Sequence, residues 1–286
     1  GRHGGTGGAV VRLLLEAGVP VRAMVRRDDD RADALRRLGA EVAVADFLDR
    51  AALLGALEGV ALAYFTYPVA DGAVEAAANF AAAGRATGLE RIVVMSMAVA
   101  RPDGPSHLGR KQWLAEEVLT WAGFDVLSLR IAALFVENLK LLHGNDFNDG
   151  DAIRNSFGDV ALSWVSGEDA ARLAVAALLH PERFGGEAAV YPSGGPPCSH
   201  ADIARLVGAR RGRDLRHETI AGPDWYAALM ARTGEDARIN ADMARHIAVL
   251  GEALRQWPPG NDLFVRVTGT KPTPVEDLIA GGRLDR

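Results

Sequence analysis

The opening run GRHGGTGGAVVRLLLEAG spaces glycines at Gly1, Gly4 and Gly7 and leads into a stretch with apolar residues at Val10, Val11, Leu14 and Leu15. Glycines so spaced let a backbone turn tightly and bring its amides against an anion. A helix N-terminus beyond them adds unsatisfied N–H groups and a partial positive charge. Gly1, Gly4, Gly5, Thr6 and Gly7 are therefore a candidate phosphate cradle. Arg26 and Arg27 end the next apolar run, where an acidic residue would hold both ribose hydroxyls of NAD. Guanidinium forks suit a phosphate monoester instead, so the expected cofactor is NADP(H). Farther on, His107 and Lys111 stand four residues apart. That spacing puts an imidazole and an ammonium on one stripe of a helix.

These residues need elements to hold them. Short apolar runs at 19–25, 41–45, 60–65, 91–96 and 124–129 alternate with helical stretches at about 7–17, 49–58, 73–87 and 107–122. Strand, crossover helix and strand repeated this often predict a parallel sheet wound on both faces, an α/β Rossmann-like fold. The ends of those runs carry the cofactor's expected neighbours. Asp46 and Phe47 flank the adenine, Thr66 and Tyr67 line the inner half, and Ser96 closes the fourth run. A Val/Ile-rich strand of about six residues is expected ahead of Gly1, because without a central strand two ladders would lose their partners at about 1–3 kcal/mol per group. The polar stretch 145–158 is expected as a surface loop, short strands are expected at 160–165 and 187–191, and a helix at 168–179. After SGGPP at 193–197 the composition turns helical, with candidates at 200–210, 223–233 and 239–250. The expected division is a cofactor domain over residues 1–192 and a smaller, mostly helical substrate cap over 193–286.

Composition narrows the function classes. The chain has 286 residues, is 49% hydrophobic and carries a formal charge of −5 with pI near 5.8. That balance gives no general attraction to nucleic acid or anionic lipid. No apolar run approaches the ~20 residues that span a bilayer, and no cationic-then-apolar leader opens the chain, so a cytoplasmic location is expected. Cys198 is the sole cysteine, which excludes an internal disulfide or a multi-cysteine metal site. The expected partner is a small-molecule substrate, and the protein is expected to be a monomer or homodimer.

The blocks GRHGGTGGAVVRLLLEAG, VRAMVR, AEVAVADFLDRAALLGALEGV, ERIVVMSM, HLGRKQWLAEEVL, LRIAALFVENL and GDVALSWVSGEDAARLAVAAL, in this order, resemble the NmrA-like group of atypical short-chain dehydrogenases/reductases. The resemblance implies a Rossmann-like domain, a smaller C-terminal substrate domain and a nicotinamide cofactor in the cleft between them. Two departures stand out. Ile131 follows Arg130 where relatives often have proline, and Arg2 and His3 occupy turn positions usually given to small residues.

The wider superfamily uses Tyr-x-x-x-Lys, in which the tyrosine gives a proton to the carbonyl and the lysine binds ribose. Here His107 replaces the tyrosine and Lys111 keeps its place. On a helix, Lys111 shares a stripe with Leu114 or Ala115 and Val118, so it is expected to face the sheet and anchor ribose. His107 as imidazolium is a possible proton source near its ordinary pKa of about 6.5, and water or a phenol on the substrate are the others. The family includes actinomycete enzymes that reduce aromatic polyketide ketones without the tyrosine. The leading expectation is thus an NADPH-dependent ketoreductase or quinone reductase for a large planar substrate, bounded by Tyr67, Met95, Ser96, Met97, His107, Phe135, Trp225 and Tyr226. The rival expectation is a catalytically silent NADP(H) redox sensor.

Overall fold

Short acceptor side chains decide where half of the described α-helices begin. In the computed structural model, which describes residues 5–256 and 260–285, the first half alternates α1 (Thr6–Glu16), β1 (Arg22–Val25), α2 (Asp30–Arg37), β2 (Glu41–Val44), α3 (Arg50–Leu57), β3 (Leu62–Phe65), α4 (Ala73–Thr87), β4 (Arg91–Met97), α5 (His107–Trp121) and β5 (Asp125–Ile131). Asp29, Asp49 and Ser106 cap α2, α3 and α5 by accepting amide hydrogens of the first turn. The acidic run ahead of Arg31, which reads as a turn, thus opens a helix. Gly1 and Gly4 of the expected cradle lie outside the described residues.

The chain continues through β6 (Leu134–Phe135), α6 (Val136–Asp149), β7 (Ala152–Asn155), β8 (Trp164–Val165), α7 (Gly167–Leu179) and β9 (Ala189–Val190). It ends with α8 (His200–Arg210), β10 (Arg216–Thr219), α9 (Gly222–Met230), α10 (Ala241–Ala253), α11 (Leu263–Thr268) and α12 (Val275–Ala280).

The fold is α/β with parallel ladders. One runs β3–β4–β5–β9 and another pairs β1 with β2. Successive strand residues point to opposite faces, and β4 shows it. Ile92 and Val94 pack with Leu53, Phe80, Ala115 and Leu119 of α3, α4 and α5. Val93 packs the other way, with Val10 and Leu14 of α1 and Leu173 and Ala177 of α7. Both faces of the sheet are therefore covered by helices. Among the described residues no ladder joins β1 to β3.

A second lobe forms around β7 and β10, a parallel pair. Its cores combine Val136, Phe147 and Ile153 with Ile203, Val207 and Val275, and Phe157 and Leu162 with Trp225, Ile247 and Leu250. Residues on both sides of position 192 build it. The expected surface loop at 145–158 is corrected here: it contains the end of α6 and all of β7, with Phe147, Ile153 and Phe157 buried. Its polar residues concealed three core positions whose partner, β10, lies some sixty residues later. Among the described residues no helix is long and apolar enough to cross a membrane.

Candidate active site

Helix α1 differs from α2, α3 and α5 at its start. Gly5 is its N-cap, and among the described residues no side chain accepts from the first-turn amides. A Cβ added at Gly5, Gly7 or Gly8 would meet no described atom within 4 Å. The uncapped amides and the open glycine faces fit a pyrophosphate laid against the helix end. Thr6, the first helical residue, accepts a hydrogen bond on Oγ1 from the Tyr64 hydroxyl of β3 at 2.9 Å.

Arg26 and Arg27 follow β1 on an exposed bend, and neither forms a hydrogen bond or ion pair with another described residue. The positive charge of Arg26 is felt at the Tyr67 phenol, which burial and the carboxylates Asp46, Asp71 and Glu75 otherwise push upward in pKa. Asp46 and Phe47 are half-buried after β2. The Phe47 ring meets Phe65 and Tyr67 edge-on, with centroids 5.2 and 5.8 Å apart. Thr66 and Tyr67 follow β3, and the Tyr67 hydroxyl donates to the Asp71 carbonyl at 3.4 Å. Gly72 has φ of 99°, and a Cβ there would lie 2.8 Å from the Tyr67 hydroxyl. Only glycine lets the phenol sit over this turn.

Helix α5 brings the remaining candidates together. Its first turn packs closely on the preceding loop, since a Cβ at Gly109 would fall 2.7 Å from the Val99 carbonyl oxygen. Its buried stripe is Leu108, Gln112, Ala115, Glu116 and Leu119. The expectation that Lys111 faces the sheet is corrected by that stripe. Lys111 lies on the flank, with 39% of its side chain exposed, and its ammonium pairs with the Asp71 carboxylate. The pairing draws Asp71 below the ordinary carboxylate range. His107, also on the flank, holds Asp242 of α10 through Nε2 at 3.1 Å. One helical turn thus bridges the Tyr67 loop on one side and the second lobe on the other.

The other expected residues divide. Met97 and Tyr226 are half-buried against one apolar cluster, whereas Met95 and Phe135 pack against another. Trp225 is corrected from pocket wall to core. It is 2% exposed, its ring stacked over His143 at 6.1 Å and edge-on to Phe157 at 5.5 Å. An apolar helix with aromatics at adjacent positions turns one inward and leaves the other, Tyr226, near the surface. Ser96 is buried and its hydroxyl donates to Glu116, so that proton is not available to a ligand.

Several partners escaped the sequence reading. Glu116, 4% exposed, accepts from Arg130 at 2.9 and 2.7 Å, and Arg130 also donates to the Tyr191 hydroxyl at 2.7 Å. Burial pushes the Glu116 carboxyl upward while Arg130 and Ser96 pull it down. Asp71 had a signal in the turn-rich ADG stretch after Tyr67. Glu116 had none, because adjacent glutamates on a helix read as a solvated face.

The Ser106 hydroxyl accepts the Gly109 amide at 3.0 Å and shares a hydrogen bond with Nδ1 of buried His246 at 2.6 Å. Burial and the neighbouring His107 lower the His246 pKa to about 4. Burial lowers His200 well below the ordinary range as well. Unfolded imidazoles titrate near 6.5. Between that value and about 4 the unfolded chain binds protons that the native chain does not, so stability declines as pH falls through this window and is level above it. Urea midpoints are expected to be lower at pH 5 than at pH 7. His246→Asn, which keeps an acceptor for Ser106, should shrink the difference; an unchanged difference would exclude His246 as a source.

The pattern of the NmrA-like family matches residues 1–256. The chain is 28% identical over 279 residues to an NAD(P)H azoreductase of Xenophilus azovorans, covering 95% of this chain and 90% of that protein. It is 30% identical over 238 residues to the (4-alkanoyl-5-oxo-2,5-dihydrofuran-3-yl)methyl phosphate reductase of Streptomyces griseus, covering 81% of this chain and 79% of that one. Among solved structures it resembles an NADPH-dependent quinone oxidoreductase of Escherichia coli complexed with NADPH, with TM-score 0.81, 21% identity, and 96% and 95% of the two chains covered.

Proposed function

The chain belongs to the NmrA-like family, and from that premise we propose that it is an NADPH-dependent reductase acting on a planar conjugated acceptor, an aromatic ketone or a quinone. One observation carries the reading: among the described residues, the N-terminus of α1 has no side-chain cap and its glycine faces are open, and the two arginines after β1 have no partner. The printed names of the relatives, an azoreductase, a phosphate reductase and a quinone oxidoreductase, support a reductase.

A bound dihydronicotinamide supplies a hydride. The chain's own residues do the rest. Amides at the start of α1 hold the pyrophosphate, and Arg26 holds the 2′-phosphate. Asp46 and Phe47 border the adenine, and Thr66 and Tyr67 border the inner half. Lys111, exchanging Asp71 for ribose, anchors the reacting end. Tyr67, Met97, Phe135 and Tyr226 give the acceptor apolar surfaces. Orientation alone lowers such a barrier by several kcal/mol. His107 is held by Asp242, so the product oxygen takes its proton from water or from a phenol on the substrate.

That same tethering favours a second reading, a silent NADP(H) sensor, because both catalytic candidates of α5, His107 and Lys111, are tied to carboxylates. NADPH oxidation assayed against quinones and polycyclic ketones separates the two. Turnover that falls about tenfold or more in Lys111→Ala is the expected result, the loss of one charge-assisted contact. An equal loss in His107→Ala would return the proton step to His107. Uptake of NADPH and NADP⁺ with no turnover of any acceptor would establish the sensor.

A further inference from the structure

Tyr64 takes no part in the mechanism above, yet its hydroxyl is directed at the candidate phosphate cradle. The residue lies on β3, half-buried, packed with the core that joins α1, α7 and the sheet. Its hydroxyl donates to Oγ1 of Thr6 at 2.9 Å. A hydroxyl oxygen has two lone pairs and one proton. With Tyr64 occupying a lone pair, the Thr6 proton is left to donate, and Thr6 donates to no other described residue. Burial raises the Tyr64 pKa to about 12, so the phenol remains protonated and keeps its role as donor. The contact also ties the first residue of α1 to β3, although among the described residues no ladder connects β3 to the strand that follows α1.

We propose that Tyr64 is a positioning residue for the cofactor: by donating to Thr6 it turns the threonine hydroxyl proton and the first amides of α1 toward the pyrophosphate. The proposal rests on the reading of α1 as the dinucleotide cradle. The Tyr64 hydroxyl meets Thr6 and also interacts with Thr66, so it acts on the ligand only through neighbouring side chains.

The test is fluorescence titration of the full-length protein with NADPH. Tyr64→Phe is expected to raise the Kd about five- to tenfold, the loss of one well-oriented hydrogen bond. The KM for NADPH should rise with it while kcat at saturating NADPH stays within about twofold. Thr6→Val should cost the same, Thr6→Ser should restore most of the affinity, and Tyr64→Phe with Thr6→Val should be no worse than either alone, because both remove one interaction. Affinity for adenosine 2′-monophosphate, which has no pyrophosphate, should be unchanged in Tyr64→Phe. A merely loosened fold would weaken both ligands and make the two substitutions additive, which would overturn the inference. Equal NADPH affinity in Tyr64→Phe and the unmodified protein would overturn it alone. No NADPH uptake by the unmodified protein would overturn the cradle reading, and this inference with it.

Discussion

Arg26→Ala is expected to weaken NADPH binding by about 10- to 100-fold and leave NADH binding nearly unchanged, so that the preference for the phosphorylated cofactor disappears. The size follows from removing charge-assisted hydrogen bonds of about 1.5–3 kcal/mol, each 1.4 kcal/mol being a factor of ten in affinity. Two features of the structure single out this arginine. It pairs with no carboxylate among the described residues, so its guanidinium is available without breaking such a pair, unlike its neighbours Arg31 and Arg36, which hold Asp29 and Asp28. Its charge also acts on the Tyr67 phenol, in the loop expected to line the cofactor's inner half. Arg27→Ala should have the smaller effect. Calorimetric titration with both nucleotides makes the measurement, and a parallel loss of NADPH and NADH affinity in Arg26→Ala would show that the side chain does not read the 2′-phosphate.

Arg130→Ala is expected to cost about 3–5 kcal/mol of stability and to lower Tm on the order of 10 °C. The cause is the carboxylate left behind. Glu116 is 4% exposed and its remaining partners are hydroxyls, Ser96 and Ser128. A buried charge without its cation takes up a proton at higher pH than before. The deficit of the variant relative to the unmodified protein should therefore narrow as pH falls, because the protonated carboxyl no longer needs the guanidinium. Glu116→Gln with Arg130→Met, which removes both charges, should be far less harmful than Arg130→Ala alone. Thermal unfolding of the three proteins at pH 7 and pH 5 provides the comparison. A double variant as unstable as the single one would mean that packing, and not charge, carries the loss. The pair also holds α5 against β5, so it underlies the position of His107 and Lys111 at the start of the same helix.

Local chemistry written in adjacent residues was legible from the sequence. The alternation of apolar runs with Ala- and Leu-rich stretches determined the strands and crossover helices of the first half, and α4 and α8 begin and end at the residues expected of them. Glycine spacing marked the start of α1, the expected helices at 49–58 and 107–122 begin within a residue of α3 and α5, and the arginines after β1 are exposed. These features depend on contacts within a turn or two of chain, which a linear pattern records directly.

What the tertiary structure alone decided are the partners. Asp71 meets Lys111 across forty positions, Asp242 meets His107 across 135, and Tyr64 meets Thr6 across 58. No periodicity registers such pairs. The rotation of α5 was likewise beyond the sequence, since placing Lys111 inside or on the flank differs by about one residue along the helix, 100° in rotation. Only the packing of Leu108, Ala115 and Leu119 against the sheet selects between them. The polar stretch at 145–158 became core because β10 arrives to pair with β7. Burial is a property of the surroundings, and for that stretch the surroundings come from the far end of the chain.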